Sequence, residues 1–110
     1  MEISWSDFEK IDIRCGTIIS AKPFEKAVKP SFQLEIDFGM LGVKKSSAQI
    51  THHYQPDELI GKQVVAVINF PVKQIANFFS ECLVLGVYDT EGQVILLEPT
   101  KVVENGCKIG

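Results

Sequence analysis

The sequence is short of arginine. Arg14 stands alone among 11 basic side chains, and the rest are lysine. Arginine is the side chain that grips phosphate and guanine with a planar two-pronged donor set. The balance of 11 basic against 14 acidic groups also leaves a net charge of -3. A protein that holds long duplex DNA through its overall field is therefore excluded, and any nucleic-acid contact has to be local. Long apolar runs are missing as well: nothing approaches the ~18 to 20 residues that cross a bilayer. The opening Met1-Glu2-Ile3-Ser4-Trp5 lacks a basic segment followed by an apolar one. The expectation is a cytoplasmic protein with no membrane insertion. Three cysteines, Cys15, Cys82 and Cys107, cannot all pair, and none has the Cys-x-x-Cys or Cys/His spacing of a zinc site. They read as reduced, mostly buried thiols, and no metal or cofactor is expected. Although eight glycines are available, none builds a Gly-x-Gly-x-x-Gly turn, a Walker-type loop or a Gly-x-Ser-x-Gly elbow.

What is present is the composition of a folded domain. With 110 residues, 45% hydrophobic and 23% charged, residues 1–110 form one domain without repeat or linker. Ser6 followed by Glu9 reads as a capping box for a short helix presenting Trp5, Phe8 and Ile11. Asp12 to Ala21 reads as a long strand bent at Gly16. Phe32, Leu34, Ile36 and Phe38 alternate with Gln33, Glu35 and Asp37, the pattern of a half-buried strand. Val43 to Thr51 and Lys62 to Phe70 are further strands, and Pro56 to Gly61 is a loop or a single helical turn. Cys82 to Tyr88 joins Val94 to Leu97 through the Asp89-Thr90-Glu91-Gly92 turn as a hairpin. Pro99 to Gly110 adds one or two short edge strands. Many short strands with one short helix predict an all-β domain, a five-stranded barrel with C-terminal extension strands.

Groups able to do chemistry are few. His52 and His53 are adjacent, so on an extended chain they point to opposite sides and do not act as one unit, and they read as ordinary surface or turn histidines. A nucleophile pair of Cys15 or Cys82 with His52 meets the difficulty that both cysteines lie in apolar strand patterns, where thiols are inert. Asp57-Glu58 and Glu35/Asp37 read as solvated charges. No enzymatic activity is expected. Charge is uneven, however: residues 38–79 carry four basic and two acidic side chains, the only net positive third. Lys44, Lys45, Ser47 and Gln49 precede Tyr54, and Asn69, Lys73 and Gln74 precede Phe78, Phe79 and Ser80. Lysines for phosphate, amides and hydroxyls for base edges, and rings for stacking are what single-stranded RNA recognition needs. A solvated strand face with inward aromatics gives the same pattern. Phe70, Ile75, Phe78 and Phe79 around Pro71 also allow an apolar peptide groove, or else the filling of the barrel or of a dimer interface.

Five blocks carry a resemblance that covers nearly the whole chain: Phe8 to Ile18, Ile36 to Gly39, Lys45 to Thr51, Val67 to Pro71 and Ser80 to Gly86. They resemble the CsaA family, small bacterial proteins built on the tRNA-binding domain that is also appended to methionyl-tRNA synthetases. The resemblance implies an OB-fold barrel, a homodimer, no enzymatic activity, binding of tRNA or other RNA, and a chaperone role for unfolded exported preproteins with contact to export machinery. The alternative is a purely peptide-binding chaperone with vestigial RNA affinity. The synthetase-appended domain's Asn-x-x-Pro-Arg-Lys-Met-Arg stretch falls on Asn69 to Ala76, and its Ser-Gln-Gly-Met on Ser80 to Leu83. Val72 replaces the proline, Lys73 keeps a charge, Gln74 replaces a lysine and Ala76 an arginine, which implies weaker tRNA binding than in basic members. Trp5, Phe8 and Ile11 are the expected dimer contacts.

Overall fold

The computed structural model describes all residues 1–110. In chain order the elements are α1 (Trp5–Glu9), β1 (Ile13–Pro23), β2 (Phe32–Asp37), β3 (Val43–Ala48), α2 (Pro56–Leu59), β4 (Gln63–Val67), β5 (Lys73–Ile75), β6 (Phe78–Ser80), β7 (Leu83–Val84), β8 (Gly86–Tyr88) and β9 (Val94–Leu96). A five-stranded antiparallel sheet runs β3-β2-β1-β4-β7, and β5-β6 and β8-β9 form two separate hairpins. The sheet curls into the expected barrel because β2 turns Phe32, Leu34 and Ile36 inward at every second residue, with Phe38 continuing the row. Ile18, Leu59, Val64 and Ala66 meet them in the core. α2 is capped by Gln55 and Glu58 and sends Leu59 into that core.

The bend in β1 is not at Gly16. Register with β2 slips between Ile18 and Ser20, so Ile19 is the bulged residue. Gly16 is needed for close approach instead: a Cβ there would lie 2.7 Å from the Phe38 ring and 2.8 Å from the Asp37 carbonyl. The helix cap also differs from the Ser6/Glu9 expectation. Ser4 Oγ accepts from the Asp7 N–H at 3.1 Å, and Asp7 Oδ2 accepts from the Ser4 N–H at 3.0 Å. Starting two residues earlier lets the chain leave the helix in time to enter β1 at Ile13. Asn69 fixes that exit: its Nδ2 donates to the Lys10 carbonyl at 2.7 Å and its Oδ1 accepts from the Asp12 N–H at 3.0 Å.

Two further expectations are corrected. Cys82 to Tyr88 is two strands, not one, because Leu85 bridges different partners, donating to the Val65 carbonyl and accepting from the Leu97 N–H. Gly86 permits the crossing, since a Cβ there would lie 2.6 Å from the Ile95 carbonyl oxygen. The tail forms no regular extension strands, only one bridge between Arg14 and Lys108. It runs as a strap along the edge of β1 that is free before β2 begins to pair at Thr17. The Cys15 N–H donates to the Cys107 carbonyl at 2.9 Å, the Gly106 N–H to the Cys15 carbonyl at 2.7 Å and the Ile109 N–H to the Ile13 carbonyl at 2.8 Å. Cys15 and Cys82 are buried, whereas Cys107 is exposed.

Candidate functional site

β3 is the strand that separates core from site. Ser46 and Ala48 point inward, and Lys45, Ser47 and Gln49 share the opposite face. By the same alternation Lys44 lies on the Ser46 side, so the two adjacent lysines do not join one patch. The outer edge of β3 meets residues 80–82 through one backbone bond and two in which a side chain stands in for a strand partner. The Glu81 N–H donates to the Lys45 carbonyl at 2.8 Å, the Lys45 N–H donates to Glu81 Oε1 at 3.0 Å, and the Ser47 N–H donates to Ser80 Oγ at 3.2 Å. Inside that seam Ser46 Oγ donates to the Cys82 carbonyl at 2.9 Å. Burial pushes the Cys82 thiol up to about 11, which keeps it protonated and unreactive.

Over this seam the β5-β6 hairpin folds back and encloses a cavity of about 420 Å³. Ser47 and Gln49 form one wall, Lys73 and Ser80 another, and Phe70 and Ile75 supply the apolar side. Segments some 30 residues apart in the chain thus converge, among them four of the eight side chains expected to bind RNA and two of the four expected to bind peptide.

The remaining expected residues are placed otherwise. Both ends of the Asn69 carboxamide are held by backbone at the helix exit, so its part is structural. Gln74 Nε2 donates to the Ala76 carbonyl at 3.1 Å and steadies a turn in which Ala76 is left-handed, φ 52°. Phe78 is buried against Phe24, ring centroids 5.4 Å apart. Its neighbour Phe79 is 54% exposed, as is Phe70. One ring of the adjacent pair faces inward and one outward, as strand alternation requires. Trp5 is 68% exposed, Ile11 is also exposed, and Phe8 is half-buried beside Trp5. Ile3, Ser4, Trp5, Phe8 and Gly110 line a shallow apolar cleft in which the two chain ends meet.

Sequence reasoning missed Glu81, which lines the groove as its one carboxylate and also completes the edge of β3. The available signal was its position: it stands where the Ser-Gln-Gly-Met block has glutamine. The histidines take the surface turn expected of them. In that turn their rings come within 4.8 Å, edge to face, and His53 Nε2 sits 2.8 Å from Asp89 Oδ2. That contact first, then the N–H groups of Gln93 and Glu91, holds the Asp89 carboxyl below its ordinary range.

The sequence profile of the tRNA binding domain matches residues 13–108. The chain belongs to the tRNA-binding-domain family. Among solved structures, the chaperone CsaA of Bacillus anthracis str. Ames is 50% identical over 100% of both chains, TM-score 0.95. The CsaA chaperone protein of Picrophilus torridus is 53% identical over 99% of this chain and 100% of its own, TM-score 0.93. Methionine-tRNA ligase of Chlorobium phaeobacteroides is 36% identical over 107 residues, which are 97% of this chain and 15% of the ligase. The chain thus spans a small fraction of the length of the ligases it matches. The family is a binding domain, not a catalytic one, and no helix is long and apolar enough to cross a membrane.

Proposed function

We propose that this protein is a cytoplasmic homodimer that binds tRNA or other structured RNA and also receives unfolded preproteins on their way to export. The observation that carries the reading is the groove between β3 and the β5-β6 hairpin, where Lys73, Ser47, Gln49 and Ser80 face the same space as Phe70 and Ile75. Lys45 lies on the same face of β3 as Ser47 and Gln49, and exposed Phe79 offers a ring for stacking. With two lysines at its margin and Glu81 inside, the groove binds RNA weakly, because each missing cation removes a phosphate contact. The polypeptide arm of the reading rests on Phe70, Val72 and Phe79, each more than half exposed, which amounts to more apolar surface than an isolated barrel needs to show. The dimer rests on the cleft at the chain ends, where Trp5 and Ile3 are left in water.

Salt tests the RNA arm. Lys45→Ala and Lys73→Ala should each flatten the dependence of log K for tRNA on log salt by about 0.7 to 0.9. Unchanged slopes in both variants would place RNA elsewhere. Capture of an unfolded polypeptide through the rings should persist in high salt. Light scattering should report about twice the 12.2 kDa chain mass.

A further inference from the structure

Beside that groove lies a larger cavity, of about 800 Å³ against about 420 Å³. Ser47, Gln49 and Leu83 line both, so the two spaces meet across the outer face of β3. We propose that this second cavity is a nucleobase subsite, so that a single-stranded stretch of RNA lies across β3 from the β5-β6 hairpin to the β8-β9 hairpin. The proposal rests on the RNA reading of the first groove and extends it.

The lining supplies what a base requires. Tyr88 is 78% exposed at the cavity, His52 is exposed beside it, and together they offer two flat faces for stacking. Gln49 and Gln93 bring carboxamides, each with a donor and an acceptor to match a base edge. Lys29, on the segment between β1 and β2, is the cation available to a phosphate. Carboxylates do not line the cavity. Of the two acidic residues in the hairpin turn, Asp89 faces His53 and the N–H groups of Glu91 and Gln93, and Glu91 is exposed outside the lining. The walls are fixed by bonds to a different part of the chain: His53 to Asp89 at 2.8 Å, and the Leu96 N–H donating to Tyr54 Oη at 3.0 Å. A pre-formed site with amides and rings but little charge suits an uncharged heteroaromatic group held next to a backbone already engaged in the first groove.

The test uses the full-length protein and two unstructured oligoribonucleotides, of about four and about eight residues, within the range an OB-fold spans. Wild type should bind the longer one more tightly than the shorter. Tyr88→Ala should weaken the longer by at least about fivefold and leave the shorter unchanged. His52→Ala and Gln93→Ala should act in the same direction. Phe79→Ala should weaken both. Because Tyr88 is exposed, the variant should melt with wild type, and a melt that drops would be replaced by Tyr88→Leu, which keeps apolar bulk without a stacking face. Equal binding of both lengths by wild type, or a length advantage that survives Tyr88→Ala, would overturn the subsite and leave the first groove standing. Loss of polypeptide capture in Tyr88→Ala with both RNAs unaffected would assign the cavity to peptide and overturn it too. Failure of wild type to bind either RNA would remove the reading of the first groove as well.

Discussion

The two halves of this chain are held by different forces. Up to Val67 the strands share one core, and of the buried residues only Phe78 and Cys82 lie beyond it. After Val67 only the two-residue β7 joins the barrel sheet, and the rest of the chain forms two small hairpins and a strap, fastened by a few hydrogen bonds, by side chains standing in for strand partners and by the partly buried Val94 and Leu96 packed against the core. The first half is a scaffold whose stability comes from apolar area. The second half is laid on that scaffold, and nearly every candidate binding residue lies in it or on the face of β3 turned toward it. Binding surfaces collect where burial does not dictate the side chain, because only there are rings and amides left exposed.

The largest expected effect tests this division directly. Phe38 is fully buried where β1 crosses it at Gly16, so Phe38→Ala should lose about 3 to 5 kcal/mol in denaturant unfolding. An exposed ring of the second half, Tyr88→Ala, should change stability by no more than about 0.5 kcal/mol. Comparable losses at both positions would mean that the C-terminal half is core after all. A narrower form of the comparison lies within β6. Phe78→Ala removes a ring packed on Phe24 and should lose about 3 kcal/mol, whereas Phe79→Ala should stay folded and change binding only. Loss of tRNA with polypeptide capture intact would make Phe79 a stacking platform. The reverse result would make it part of a client site, and loss of neither would remove it from the functional surface.

The same division governs what could be read in the sequence. The alternation of Phe32 to Phe38 and the apolar run at Val64 to Val67 announced the barrel, because a residue that fills a core has to be apolar at a fixed period. Ile19 was missed as the bulge because a glycine nearby looked like a better hinge. Gly16 was needed instead to admit the Phe38 ring, and close approach leaves no periodic trace. Of the candidate site, Ser47, Gln49, Lys73 and Ser80 were legible as residue types and do converge. Lys44 was not separable from Lys45 until strand facing was known. Asn69 had the chemistry of a base reader and serves as a brace at the helix exit. Glu81 was marked only by standing where the Ser-Gln-Gly-Met block has glutamine, and its part in completing the edge of β3 is recognised only once that strand is in place.

The smallest expected effect concerns how the β8-β9 hairpin is fastened. Asp89 is held in its ionised form by His53 and by turn N–H groups, so its folded pKa lies below the unfolded value near ~3.9. A depressed carboxyl contributes stability that is present above the unfolded pKa and is lost as pH falls through the folded one. The fastening should therefore be intact at neutral pH and fail below about pH 4, in acid, without any alkaline counterpart from this group. Hydrogen-exchange protection, corrected for intrinsic rates, should show this locally. Protection of the Leu96 N–H, which donates to Tyr54 Oη, should fall in acid before that of the β1-β2 ladder. In Asp89→Asn the amide keeps an oxygen for the N–H groups of Glu91 and Gln93 but loses the charge facing His53. Its Leu96 protection should already be lowered at pH 7 and should meet the wild-type value below about pH 4. If wild type and Asp89→Asn run parallel across that range, the hairpin is held by burial like the barrel, and the contrast between the two halves does not extend to their fastenings.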